Sequence, residues 1–292
     1  MGQRFLYAAC TSGLGDRLLS YAGCWRIARA TNRQPRLYWE LNNRCGCTFD
    51  QLFESPLAMV TQEDMVRLLQ THYAVKTYNA WLDRPPPRYT HIAADGDPSY
   101  DIIVIKSWNY PALDNEKDGP GLRKELRTHL LALRPVPAIT AAVAAFDLPK
   151  DAIGIHIRRG DDVQRFIASR EEDFETIIEG VIGRCPDSRF FLATDVEAVE
   201  LRLRQRFGER ILVRAKHGGG RTTESGMADS LIDMLLLSQT RAILGNQHSA
   251  FTRTAALWGD RPVVIANAEN ASAQLARSLA TLTGHDGPSR VG

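Results

Sequence analysis

No run of apolar residues in this chain approaches the ~20 that a membrane-spanning helix needs. The N-terminal stretch MGQRFLYAACTSGLGD has only a short apolar segment before Gly13. A secretory signal needs a longer apolar core and a small-residue cleavage site, so the expected setting is the cytoplasm, in solution or at the inner membrane face. Cysteine is scarce. The five residues Cys10, Cys24, Cys45, Cys47 and Cys185 are odd in number, which fits a reducing compartment better than a disulfide scaffold. Cys45 and Cys47 have no second pair or nearby histidine to complete a four-ligand zinc site, and are read as structural. A dominant charge is also missing. With 36 basic and 34 acidic residues the net charge is +2, far below the basic excess on which nucleic-acid binding depends.

What is present is the material of a globular protein. At 292 residues, 44% hydrophobic and 24% charged, the chain is long enough for two domains with cores of their own. Arginine supplies 30 of the 36 basic residues, a bias expected of a GC-rich bacterial genome. Residues 5–9 read as a buried strand, 11–16 as turn chemistry, 17–30 as a helix with Trp25 as its core anchor, and 36–40 as the next strand. That βαβ order builds parallel sheets. Residues 62–70 and 122–133 read as helices and 101–106 as a strand. Pro135 and Pro137 then break the pattern, since proline does not continue a helix interior, and the domain boundary is placed there. The second half alternates strands at 152–157, 189–193, 211–214, 242–245 and 262–266 with helices near 172–184, 196–206, 228–239, 249–258 and 271–282. The expected architecture is α/β: two Rossmann-like doubly wound domains, residues 1–134 and 135–292, facing across a cleft in the manner of GT-B glycosyltransferases.

Three segments carry chemistry. In IGIHIRRGD a buried strand ends on His156, Arg158 and Arg159, at the carboxyl edge where open α/β sheets bind ligands. Neighbouring strand residues point to opposite faces, so both arginines meet one ligand only if the strand ends there. Two guanidinium forks suit a diphosphate. Gly13-Leu14-Gly15-Asp16 joins the first strand to the first helix. Glycines there admit close approach of a ligand, and the helix N-terminus offers amide donors to an anion. The third glycine of a dinucleotide fingerprint is replaced by Leu18, and Asp16 serves equally well as a helix cap. Finally, Asp233 lies on a helix before the polar turn 246–249, where Ser249, Ala250 and Phe251 open another helix. That N-terminus suits phosphate, although Ser249 taken alone is an ordinary N-cap.

Together these segments resemble the fucosyltransferase superfamily that includes core α1,6-fucosyltransferases, rhizobial nodulation-factor fucosyltransferases and protein O-fucosyltransferases. The resemblance is carried, in family order, by GLGDRLLSYAGCWRIARATNR, IGIHIRRGD, FFLATD and DSLIDMLLLSQTRAILGNQHSAFTR. It implies an inverting transferase that moves fucose from GDP-fucose to a glycan, glycolipid or peptide hydroxyl. It further implies that His156 and Asp233 contact guanosine, Asp233 accepting from N1–H and the 2-amino group. Arg158 would serve the site, and Arg159 would bind the β-phosphate and stabilise the leaving group. Ser249, Ala250 and Phe251 would hold phosphate. Asp195 would lie near the nucleotide or shape its loop, and Gly13, Gly15 and Asp16 would meet the diphosphate. Another GDP-sugar as donor, or a non-catalytic nucleotide- or glycan-binding protein, are the alternatives.

The sequence departs from the family after the arginine pair. Core fucosyltransferases carry a lysine and a glutamate there; this chain reads Asp161-Asp162-Val163-Gln164-Arg165-Phe166. Asp162, Glu171 and Glu172 are the nearby carboxylates, and none is assigned as general base. Asp95-Gly96-Asp97 has the spacing of a metal-binding Asp-x-Asp, but it precedes Pro98 and has turn composition. No metal and no cofactor beyond the donor are expected. The acceptor is expected to be chosen by loops at 44–53 and 83–88.

Overall fold

The computed structural model describes residues 3–71, 74–79, 90–159 and 168–284. The chain divides into two compact units, Met1–Thr140 with His217–Leu231, and Ala141–Lys216 with Ile232–Gly292. The expected boundary at 134/135 therefore lies later, and the first unit also takes a segment from the second half. Hydrogen bonds explain both. Glu54 N–H bonds to the Arg134 carbonyl at 2.8 Å and Val136 N–H to the Leu52 carbonyl at 3.0 Å, which ties residues 134–136 to the first unit. Gly46 N–H bonds to the Arg221 carbonyl at 2.8 Å, and Gln51 Nε2 to Glu224 Oε2 at 2.5 Å.

The first unit is built on strands β1 (Phe5–Cys10), β2 (Gln34–Trp39), β3 (Met59–Val60), β4 (Val75–Tyr78) and β6 (Ile102–Lys106). They form a five-stranded sheet in the order β3-β2-β1-β6-β4, with every pairing parallel. Helix α1 (Leu14–Ala30) has 13 buried residues among its 17, as a helix covered on nearly all sides must. Gly23 on it allows close contact, since a side chain there would strike Pro111. Trp25 is only half-buried and leans on the buried Tyr21, ring centroids 4.5 Å apart. The anchor is thus Tyr21 and not the expected Trp25. Helix α2 (Gln62–Thr71) packs Met65 and Leu68 against Ala9, Ile102 and Val104. The short strands β5 (His91–Ile92) and β7 (Ala112–Leu113) pair with each other. Helix α3 (Pro120–Leu131) buries Leu126 and Leu130. Helix α4 (Pro137–Ala145) begins on a proline, because at the first helical position the missing N–H costs nothing.

The second unit repeats the plan. Strands β8 (Ile153–Ile157), β9 (Phe190–Thr194), β10 (Ile211–Leu212), β11 (Ile243–Gly245) and β12 (Val263–Ile265) run in the order β10-β9-β8-β11-β12, again all parallel. Helices α5 (Glu171–Arg184), α6 (Glu197–Phe207), α8 (Ala250–Gly259) and α9 (Leu275–Thr283) belong to it, with the part of α7 (Glu224–Gln239) from Ile232 onward. Period-two alternation divides β8 between two layers. Ile153, Ile155 and Ile157 enter the core with Phe174 and Ile177 of α5 and Leu279 and Leu282 of α9. Gly154 faces α7 so closely that a side chain would meet Thr240 and Leu237. The strand order reverses direction between β8 and β11. That reversal opens the crevice where doubly wound sheets bind ligands.

Candidate active site

The strand-end cluster of the second unit lies at this crevice. β8 stops at Ile157, so Arg158 and Arg159 follow the strand and are released from its alternation. Their backbone is held from both sides: Arg158 N–H donates to Asn246 Oδ1 at 2.7 Å and Arg159 N–H to Asp195 Oδ1 at 2.9 Å. Asp195 thus shapes the loop through its carboxylate. Beside the Arg159 guanidinium lie Glu171, with Nε to Oε1 3.6 Å, and the Phe174 ring at 5.9 Å. Burial draws the Arg159 pKa down and Glu171 opposes it; a guanidinium remains charged nonetheless.

His156 sits on the face of β8 opposite the isoleucines, paired in register with Gly245 of β11. It is buried. Its Nδ1 lies 2.8 Å from Thr252 Oγ1 and 3.4 Å from Ser249 Oγ. Its ring stacks on Phe251, centroids 4.6 Å apart at 21°. The chain turns from β11 to α8 through 246–249, with His248 in the left-handed region at φ 59°. Ser249 is the N-cap of α8, its Oγ accepting from Thr252 N–H at 3.2 Å, and Ala250 is the first helical residue. One short element therefore brings a capped helix N-terminus, with its amide donors and positive dipole end, against the imidazole. Asp233 is also buried, on α7. Arg214 Nε stands 3.4 Å from its Oδ1 and Lys216 Nζ 2.9 Å from its Oδ2.

The structure thus assembles His156, Arg158, Arg159, Asp195, Asp233, Ser249, Ala250 and Phe251 in one unit. Asn246, Thr252, Arg214 and Lys216 join them, beyond the residues expected from the sequence. A polar residue just past a strand end, and a threonine three residues after an N-cap, are the signals that point to the first two. Glu171 bonds Arg202 Nη1 at 2.9 Å as well as approaching Arg159, and Glu172 lies 3.9 Å from Arg202. Gly160, Asp161 and Asp162 lie outside the described residues, as do residues 83–88.

Gly13, Gly15 and Asp16 form a separate group in the first unit. α1 starts at Leu14 and not at residue 17, so Gly13 is the N-cap and Asp16 lies within the first turn. Asp16 is therefore not the cap. Its carboxylate favours the helix dipole there and accepts from Ser12 Oγ at 3.1 Å. Gly13 has φ −70°, and a methyl group on it would meet no atom within 4 Å. Neither strain nor internal packing requires the glycine, and its backbone stands open to a ligand. Under this turn Arg17 is fully buried. It donates to the Ser12 and Cys10 carbonyls, the latter at 2.7 Å, with Asn42 Oδ1 at 3.4 Å and the Trp39 ring at 4.8 Å. Burial lowers its pKa, against the raising effect of Cys45, Cys10 and Glu40.

Two sequence motifs are occupied by the fold itself. Asp97 N–H bonds to Asp95 Oδ1 at 3.0 Å, Tyr78 donates its hydroxyl to Asp97, and Arg33 Nη2 donates to the carbonyls of Gly96 at 3.0 Å and Asp97 at 2.8 Å. Asp95-Gly96-Asp97 is a turn. Cys45 and Cys47 are buried, Cys45 Sγ lying 3.6 Å from the Cys47 carbonyl, which also accepts from Trp39 Nε1 at 3.1 Å.

Two parallel doubly wound units in one chain define the GT-B class of fold, and solved structures that resemble the chain include fucosyltransferases of that class. NodZ α-1,6-fucosyltransferase, soaked with GDP-fucose, has a TM-score of 0.60 at 20% identity, over 88% of this chain and 93% of that one. A mutant of Arabidopsis thaliana FUT1 in complex with GDP has 0.58 at 15%, over 90% and 70%. POFUT1, in its apo form, has 0.56 at 12%, over 90% and 97%. No protein-family model matches the sequence. No curated protein matches it either.

Proposed function

We propose that this chain is an inverting glycosyltransferase that moves fucose from GDP-fucose to a hydroxyl of a glycan, glycolipid or peptide. The observation that carries the reading is the β8–β11 crevice. There a buried histidine stacked on Phe251 meets the capped N-terminus of α8, and two arginines follow the same strand end, in a fold shared with fucosyltransferases solved with GDP and GDP-fucose.

In this reading His156 and Asp233 hold the guanosine, and Ser249 with the first amides of α8 holds phosphate. The Arg159 fork binds the β-phosphate. As the glycosidic bond lengthens, negative charge grows on the departing diphosphate and positive charge on the sugar, and a guanidinium fixed toward that anion stabilises the transition state. One such preorganised donor contributes roughly 3 kcal/mol. Arg158 adds a second cation, and the arginine pair takes the place of a divalent metal. Glu171, tied to Arg202 and lying beside Arg159, is assigned to orienting that arginine. The first unit, which carries Gly13, Gly15 and Asp16, we take as the acceptor side.

The test is an acceptor-array screen with labelled GDP-fucose, repeated with other GDP-sugars and with UDP-sugars. Transfer from GDP-fucose to one acceptor class is expected. Preferred transfer from another GDP-sugar would reassign the donor, and tight GDP binding without transfer to any acceptor would make the chain a binding protein.

A further inference from the structure

The buried carboxylate of Asp233 has a cation on each flank. Lys216 Nζ lies 2.9 Å from Oδ2 and donates to the Thr194 carbonyl at 2.6 Å. Arg214 Nε lies 3.4 Å from Oδ1, and its Nη1 donates to the Ala215 carbonyl at 2.7 Å. The two cations differ in their surroundings: the Arg214 side chain is 10% exposed, whereas that of Lys216 is 33% exposed. Lys216 therefore stands at the solvent side of the pair, with its ammonium fixed between a strand-end carbonyl and a carboxylate. An ammonium has three donors, and these two contacts account for two of them.

The order of groups matters for what this edge can read. Oδ1, Oδ2 and Nζ stand side by side as acceptor, acceptor and donor. The Watson–Crick edge of guanine presents, in matching order, the 2-amino donor, the N1–H donor and the O6 acceptor. Uracil offers acceptor, donor, acceptor, which sets a carbonyl oxygen against the carboxylate. Adenine lacks the 2-amino group and offers a bare N1 beside its 6-amino donor, which sets a lone pair against the carboxylate and a donor against the ammonium. The array fits guanine alone among these bases.

We propose that Lys216 is a base-reading residue, whose ammonium donates to guanine O6 beside the Asp233 carboxylate. The proposal rests on the reading that Asp233 faces the guanine of a GDP-sugar. It extends that reading by assigning O6 to this lysine. A hydrogen bond to a charged donor contributes enough for about a tenfold effect on affinity or more.

The test is calorimetric titration of the full chain and of Lys216→Met with GDP, UDP and 6-thio-GDP, which keeps N1–H and the 2-amino group but replaces O6 by sulfur, a weak acceptor. The wild type is expected to bind GDP about tenfold more tightly than 6-thio-GDP. Lys216→Met should weaken GDP about tenfold, leave 6-thio-GDP nearly unchanged and so abolish the preference. Lys216→Arg, which keeps a charged donor, should retain part of it. Melting of the ligand-free variants should fall within a few degrees of wild type, showing that the loss is not unfolding. Equal or tighter GDP binding by Lys216→Met, with the preference intact, would reduce Lys216 to a counter-ion of Asp233 and overturn the proposal. A wild type that binds GDP no better than UDP would instead remove the guanine reading beneath it.

Discussion

Arg159 reaches the end of β8 with two carboxylates already beside it, and that decides what its removal would do. Its backbone N–H is held by Asp195 and its guanidinium lies near Glu171. A buried carboxylate left without its partner is the usual source of large losses, but Glu171 keeps the 2.9 Å bond to Arg202. Arg159→Ala removes the buried cation itself and leaves Glu171 paired, so it is expected to stay folded and to melt close to wild type. Its single-turnover transfer rate should fall about a hundredfold or more, because the fork is engaged chiefly while charge builds on the leaving group. Arg159→Lys should rescue poorly, since a point charge does not replace a bidentate fork. Transfer at near wild-type rate by a well-folded Arg159→Ala would remove the residue from the mechanism. A large fall in melting temperature would mark it as structural.

Among the elements, α8 carries the clearest double duty. Ser249 caps it, and the same hydroxyl lies 3.4 Å from His156 Nδ1. The cap and the site separate by substitution. Ser249→Ala should cost about 1 kcal/mol of stability, while Ser249→Gly should cost only a few tenths, as glycine is a tolerable N-cap. If the hydroxyl also holds phosphate, both variants should weaken GDP binding by about tenfold; unchanged affinity in both would leave Ser249 as a cap alone. The apolar runs of β1, β6, β8, β9, β11 and β12 were readable in the sequence because buried parallel strands are nearly continuous in hydrophobic residues. Strands β3 and β4 were not. Each pairs at a sheet edge, Met59–Val60 on β2 and Val75–Tyr78 on β6, and depends on distant partners more than on local pattern. The turn chemistry of residues 11–16 puts the start of the first helix at residue 17, yet α1 begins at Leu14 and takes in Gly15 and Asp16. They are tolerated in the first turn, where N–H groups lack intrahelical partners. The site followed the same division. His156, Arg158, Arg159 and Asp233 were visible from strand and helix position. Asn246 and Thr252 were not, since their partners lie 88 and 96 residues away and meet them only through the β8–β11 pairing.

At the level of the whole molecule, the cations gathered in the second unit must be reconciled with a chain whose net charge is only +2. Arg158, Arg159, Arg214 and Lys216 lie in one unit and carboxylates stand among them, Glu171 at 3.6 Å from Arg159 and Asp233 within 3.4 Å of Arg214 and Lys216. Such a site attracts a small polyanion by local geometry without coating the surface in positive charge. Divalent cations that serve a diphosphate are commonly held by one or two carboxylates together with the phosphate oxygens, so the pair Asp95 and Asp97 is the one to weigh. Asp95 and Asp97 are engaged in their own turn. Thermal unfolding followed with GDP, UDP and ADP, each with and without EDTA, therefore tests the charge balance directly. GDP at about 100 times its dissociation constant should add roughly 2.7 kcal/mol to the stability of the unit that binds it. UDP and ADP at the same concentration should add far less, and EDTA should leave the GDP effect unchanged. If EDTA abolishes the stabilisation and Mn²⁺ or Mg²⁺ restores it, the arginines do not hold the diphosphate alone. A cation must then be sought in the remaining carboxylates, beginning with Asp95 and Asp97.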